Sequence, residues 1–115
     1  MIGRIHERTI FRRLRREGVS VRVGPLWCSV LLDPSVSVPH VAYALGRATG
    51  PAVVRNRLRR QLRNIVRSND AALPGGWFLI GADARATSMT FAELSLLTAD
   101  LLHRGVDKAT AKGRK

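Results

Sequence analysis

Val53-Val54-Arg55-Asn56-Arg57-Leu58-Arg59-Arg60-Gln61-Leu62-Arg63-Asn64-Ile65-Val66-Arg67 is the stretch from which the rest of the chain can be read. At 100° per residue, Val54, Leu58, Leu62 and Ile65 fall within one arc of about 80°. Arg55, Asn56, Arg57, Arg59, Arg60, Arg63 and Arg67 take the opposite arc. The period predicts a helix with a core-facing stripe and six guanidinium groups behind it. Like charges at i,i+4, such as Arg55/Arg59 and Arg63/Arg67, each cost a few tenths of a kcal/mol. No Asp or Glu lies between Arg47 and Arg67 to relieve them. A merely solvated face would intersperse acids; a face without them calls for a polyanion.

The flanks of this helix are punctuated. Thr49-Gly50-Pro51 is a start signal, with Pro51 suited to the first helical position and Gly50 biased away from helical dihedrals. Pro74-Gly75-Gly76 marks a turn beyond Ser68, and Trp77-Phe78-Leu79-Ile80 then reads as a buried strand. Thr90-Phe91-Ala92-Glu93 is a capping-box pattern opening a last helix, with Leu94, Leu97, Leu101 and Leu102 on its inner side. Upstream, Thr9 to Gly18 reads as a short helix. Thr9 is its expected cap, Ile10, Phe11 and Leu14 face inward, and Gly18 is placed in a left-handed C-terminal position. Ser20–Val23, Leu26–Leu32 and His40–Leu45 read as three strands, separated by Gly24-Pro25 and by the polar turn Ser35 to Pro39. The order is α-β-β-β-α-β-α: an α+β two-layer sandwich with one mixed four-stranded sheet.

The 115 residues make one domain, expected over 1–107, with 108–115 as a basic, frayed tail. Twenty basic against eight acidic residues give a formal charge of +12, which points to anionic partners. Seventeen of the basic residues are Arg, whose planar fork suits phosphate, and the three Lys lie in the last eight positions. The single cysteine, Cys28, sits in an apolar run and reads as a small core residue in a reducing compartment. With no signal-peptide run at the start and no apolar stretch near the ~20 residues of a membrane span, the expectation is a soluble cytoplasmic protein without membrane contact.

The catalytic classes find little support. Glu7, Glu17, Asp33, Asp70, Asp83, Glu93, Asp100 and Asp107 are scattered, with no spacing that suggests a shared Mg²⁺ cage. Asp100, His103 and Asp107 share a helix face, which reads as solvated rather than metal-binding. His6, His40 and His103 are isolated, and Gly46 to Gly50 lacks the length and the Lys of a phosphate-binding loop. No catalytic residue, metal ligand or small-molecule substrate is assigned. A second basic patch, Arg8, Arg12, Arg13, Arg15 and Arg16, carries Phe11, an arrangement able to track phosphates while stacking an unpaired base. For Phe11 core packing competes evenly; Trp27 and Trp77 read as core, and Tyr43 as a weaker stacking candidate.

Gly46-Arg47-Ala48-Thr49-Gly50-Pro51-Ala52-Val53-Val54-Arg55-Asn56-Arg57-Leu58-Arg59-Arg60-Gln61-Leu62-Arg63 closely resembles the signature of the bacterial ribonuclease P protein subunit family. Phe11 seven residues before Gly18, and Phe91-Ala92-Glu93-Leu94, extend the resemblance over most of the chain. It implies a subunit that binds a catalytic RNA and the 5′ leader of precursor tRNA, assisting endonucleolytic removal of the leader. Mg²⁺ would be held mainly by the RNA, and the protein alone would be inactive. The implied fold is ribosomal protein S5 domain 2-like, with a left-handed βαβ crossover around the basic helix where the general rule gives a right-handed one. Arg47, Arg55, Asn56, Arg57, Arg59, Arg60, Arg63 and Arg67 would bind the catalytic RNA. Phe11, Arg12, Arg15 and Tyr43 would serve the leader. Arg15 stands where many members carry an aromatic, Ala48 and Pro51 depart from common basic and Asn positions, and Arg85 is displaced from a basic position expected at Ala82-Asp83. The alternatives are a non-catalytic RNA-binding protein, such as a ribosomal component, and an autonomous protein nuclease.

Overall fold

Alternation along the strands decides which way each side chain faces. In the computed structural model, which describes residues 1–113, five strands form one sheet: β1 (Gly3–Arg4), β2 (Val19–Val23), β3 (Leu26–Leu32), β4 (Pro39–Ala44) and β5 (Gly76–Ala82). Their order is β1-β4-β5-β3-β2, with β1/β4 and β4/β5 parallel and the other pairs antiparallel. The helices are α1 (Arg8–Glu17), α2 (Ala52–Ser68) and α3 (Phe91–Gly113). The parallel β4–α2–β5 unit is the crossover around the arginine helix.

Register puts Val19, Val30, Phe78 and Val41 side by side on one face, with Cys28 and Ile80 in the next row. These meet Leu58, Leu62, Ile65 and Val66 of α2 and Leu94, Leu101 and Leu102 of α3 in a single core. Phe78, Ile80, Leu62, Leu94 and Leu101 are completely buried. The apolar stripe of α2 is as expected at Leu58, Leu62 and Ile65; Val66 joins it, and Val54 at the helix start is only half-buried.

Helix α1 packs on β3 and β5. Its Leu14 is buried but lies outside that core, and the Arg13 guanidinium sits 5.1 Å over the Trp77 ring. Trp77 alternates with Phe78, so α1 covers part of the face opposite α2 and α3. The fifth strand, β1, is a two-residue parallel pairing on His40 and Val41. Two residues carry too little pattern to be read as a strand.

Several local expectations are corrected. Glu7, not Thr9, precedes the first turn of α1, and Thr9 lies inside the helix with its hydroxyl 3.3 Å from the Glu7 carboxylate. Ile10 is half-buried and Phe11 exposed, so Leu14 alone of the expected trio is buried. Gly18 is extended at φ −74°, not left-handed; glycine is needed because a Cβ there would stand 2.5 Å from the Leu14 carbonyl oxygen. Pro51 falls one position outside α2, where its carbonyl accepts from the Arg55 amide at 2.9 Å. The segment from Lys108, expected to fray, continues α3 to Gly113. Lys108 Nζ donates to the Ser20 carbonyl and Lys112 Nζ to the Glu17 carbonyl, which fastens the last turns to β2 and α1. Residues 114 and 115 lie outside the described residues.

The capping box at the start of α3 is formed as read. The Glu93 amide donates to Thr90 Oγ1 at 3.1 Å, and the Thr90 amide donates to the Glu93 carboxylate at 2.9 Å. These bonds hold the Glu93 carboxyl below the ordinary carboxylate range. Thr90→Ala is expected to lower the unfolding free energy by about 1 kcal/mol, read as a shifted denaturation midpoint with unchanged slope. Unaltered stability would mean that the cap contributes nothing in solution.

Candidate nucleic-acid interface

The arginine helix is held by its apolar stripe, which leaves its polar arc to solvent. Asn56, Arg57, Arg60, Arg63 and Arg67 are exposed, and Arg55 and Arg59 are half-buried. Arg47 is exposed on a single 3₁₀ turn, Arg47–Thr49, anchored behind it by the buried Thr49 hydroxyl donating to the Ala82 carbonyl at 2.8 Å. Among the described residues, none of these seven guanidiniums has a carboxylate within salt-bridge distance. Their partners are weak or neutral: Arg59 donates to Asn56 Oδ1 at 2.9 Å, Arg57 to the Thr87 carbonyl at 3.4 Å and Arg55 to the Leu45 carbonyl at 3.5 Å. The Arg55 Nε is buried without a partner among the described residues.

The acids are engaged elsewhere. Asp83 binds Arg85 at 2.7 Å and approaches Arg22 at 3.7 Å, Glu17 pairs with Arg13, and Asp100 with Arg104. The hydrogen bond from Arg85 is the main reason the Asp83 carboxyl titrates below its usual range. Arg85, displaced from the basic position expected after β5, is thus partly neutralised. The first turn of α2 holds no acid, so the positive end of the helix dipole adds to the arginine field. What the arrangement can do is bind phosphates.

The reverse face of the sheet carries the second element. Trp27 and Trp77, read from sequence as core, are only half-buried there. Cross-strand pairing puts Trp27 opposite Gly81 and Arg22, Leu31 opposite Trp77, and Ser29 opposite Leu79 and Ser20. The Trp27 indole lies flat against Gly81, where any Cβ would run into the ring. Phe11 stands one turn before Leu14 on α1, 37% exposed, with Arg12 and Arg15 also exposed. This face therefore combines aromatic surface with cations along one margin. The signal for it was present in β3: Trp27, Ser29 and Leu31 alternate with Leu26, Cys28 and Val30, and the serine marks the wetter side.

Tyr43 does not join Phe11, Arg12 and Arg15. It pairs with Ile80 on the core-side face, so the four expected leader residues are divided between opposite sides of the sheet. It lines a cavity of about 480 Å³ with Arg63 and Arg67 of α2. Burial pushes the Tyr43 phenol up to about 12 against the pull of the two arginines, so it is a neutral donor at ordinary pH.

Among the described residues no set of three or more His, Cys, Asp or Glu side chains is gathered to hold a metal ion. His103 lies 3.3 Å from Asp107 and Asp100 pairs with Arg104 at 3.1 Å. Cys28 is buried, and desolvation raises its thiol to about 12, which makes it inert as a nucleophile at neutral pH.

An α+β sandwich with one unpaired arginine face and an aromatic sheet face defines a small nucleic-acid-binding protein. The ribonuclease P family model matches residues 3–105, and the chain belongs to that family, the protein subunits of an endoribonuclease of tRNA processing. The ribonuclease P protein component of Symbiobacterium thermophilum is 32% identical over 102 residues, covering 88% of this chain and 89% of that one. That of Acidothermus cellulolyticus is 37% identical over 76 residues, 65% of this chain and 63% of its own length. Among solved structures, the ribonuclease P protein from Thermotoga maritima superposes with a TM-score of 0.78 at 22% identity, covering 88% of this chain and 96% of that one. A mutant of the Staphylococcus aureus protein gives 0.81 at 19% identity, covering 87% and 85%. At those identities the structures speak for the fold alone. No helix among the described residues is long and apolar enough to cross a membrane.

Proposed function

We propose that this chain binds the catalytic RNA of ribonuclease P through the α2 face and presents the reverse face of its sheet to the 5′ leader of precursor tRNA. The observation that carries the reading is the set of seven guanidiniums, Arg47 and six along α2, that have no carboxylate partner among the described residues, five of them exposed. Each phosphate that such a group binds releases counterions and lowers the repulsion between two RNA molecules. Phe11, with Arg12 and Arg15, is suited to stack an unpaired leader base and neutralise its phosphates. We assign Mg²⁺ to the RNA subunit, since among the described residues no three His, Cys, Asp or Glu side chains gather to hold a metal ion. The cytoplasm, where precursor tRNA is processed, is the proposed compartment.

The test is precursor-tRNA cleavage at low Mg²⁺ by protein alone, RNA alone and both together. Protein alone is expected to be inactive, and the mixture to cleave where RNA alone does not. Cleavage without RNA that survives removal of contaminating nucleases would make the chain an autonomous nuclease. Binding with no effect on cleavage would make it a bystander RNA-binding protein.

A further inference from the structure

The cavity beside Tyr43 lies between the N-terminal segment, β4 and the second half of α2. Its volume, about 480 Å³, falls in the range of small-ligand sites, roughly 300–1,000 Å³. The lining divides in two. Ile2 and the Tyr43 ring contribute apolar and aromatic surface, while Arg4, Arg63 and Arg67 contribute cations. Arg63 and Arg67 stand one helical turn apart on α2, so their forks can converge on one group. The one acid in the lining, Asp70, is already occupied, accepting from the Met1 amine at 2.5 Å. Neither arginine has such a partner among the described residues. An anion with a flat, partly apolar body matches both halves.

We infer that this cavity is a binding site for one nucleoside monophosphate unit, its phosphate on Arg63 and Arg67 and its base against the Ile2–Tyr43 wall. The unit can be an unpaired nucleotide of bound RNA or a free 5′-nucleotide; the recognition chemistry is the same. The RNA source rests on the proposed function, and the free source does not. The site lies across the sheet from Phe11, so it is separate from the proposed leader surface. The neutral Tyr43 hydroxyl can donate to either phosphate or base.

Tyr43 is the only tyrosine in the chain, so a ¹³C-labelled tyrosine ring gives one NMR signal that reports on this cavity. The full chain is titrated with adenosine 5′-monophosphate, adenosine, inorganic phosphate and the catalytic RNA. A saturable shift with the nucleotide, and little with adenosine or phosphate alone, is the expected result. Arg63→Gln and Arg67→Gln should each weaken nucleotide binding by about tenfold, as loss of a charge-assisted contact does. Tyr43→Phe, read through backbone amides of Ile2 and Arg67, keeps the ring and should weaken it by less. A shift with RNA but not with mononucleotide supports the site and assigns it to an RNA nucleotide; a shift with mononucleotide only assigns it to a free one. A Tyr43 signal unmoved by the mononucleotide and by the RNA, while the RNA binds, overturns the inference and leaves the α2 interface standing. An equal response to phosphate and nucleotide overturns it as well, since that is an anion site only. If the RNA does not bind at all, the proposed function falls, and the mononucleotide arm still decides the cavity.

Discussion

Replacing Arg57 and Arg60 together by alanine is expected to lower affinity for the catalytic RNA on the order of a hundredfold, from two lost charge-assisted contacts. Both side chains are exposed, and neither makes an ion pair among the described residues. Among the described residues, the hydrogen bond at stake is that from Arg57 to the Thr87 carbonyl, 3.4 Å and solvent-exposed. Folding should therefore survive, and removing two like charges from a crowded face relieves repulsion within α2. The diagnostic quantity is the slope of log affinity against log salt. Each phosphate contact contributes roughly 0.7 to 0.9 to that slope, so the double variant should flatten it by about 1.5. A fall in affinity with an unchanged slope would mean lost shape rather than lost phosphate contacts. Unchanged affinity would remove α2 from the interface.

Phe11→Ala should weaken precursor-tRNA binding by the holoenzyme by on the order of 1–3 kcal/mol, the range for a lost base–aromatic stack. Mature tRNA, which has no leader, should bind as before. The competing account is core packing, in which the truncation would open a cavity at a cost of about 3–5 kcal/mol in stability. Phe11 is 37% exposed and lies outside the core cluster, whereas its neighbour Leu14 is 3% exposed. The melting transition should accordingly move little in Phe11→Ala and much more in Leu14→Ala. An equal loss for precursor and mature tRNA in a stably folded variant would refute the leader role. Arg15, one turn further on, is exposed and free to pair with a leader phosphate or stack as a planar cation, where a second aromatic is common in the family.

Much of this architecture was legible because local signals agreed with one another. The stripe Leu58, Leu62, Ile65 fixed the inner side of α2, and the same period put the arginines outside. Strand β3 spans Leu26–Leu32 as its flanking turns require, and Thr90 with Glu93 forms the capping box that their spacing predicts. The termini of elements were harder. At Glu7, Gly18 and Pro51 the outcome depends on what packs nearby: the Val30 carbonyl beside Gly18, for example, belongs to a strand twelve residues away. The end of α3 is not legible in sequence because Lys108 and Lys112 look like a solvated tail until β2 and α1 bring the Ser20 and Glu17 carbonyls to them.

The candidate site divides along the same line. The sequence by itself determined the charge, the unrelieved arginine face and the family signature, because periodicity and spacing act within a few turns of one helix. Only the tertiary structure decided which aromatic side chains share a surface. An apolar run such as Trp77-Phe78-Leu79-Ile80 can be buried on both faces or on one, and its composition is the same in either case. Packing α2 and α3 on one face and α1 on part of the other left Trp27 half-open beside Arg22 and sent Tyr43 to the opposite side, against Arg63 and Arg67. Side chains alternate strictly along a strand, so a sheet's two faces are chosen together by what covers them, and that choice is made by residues distant in the chain.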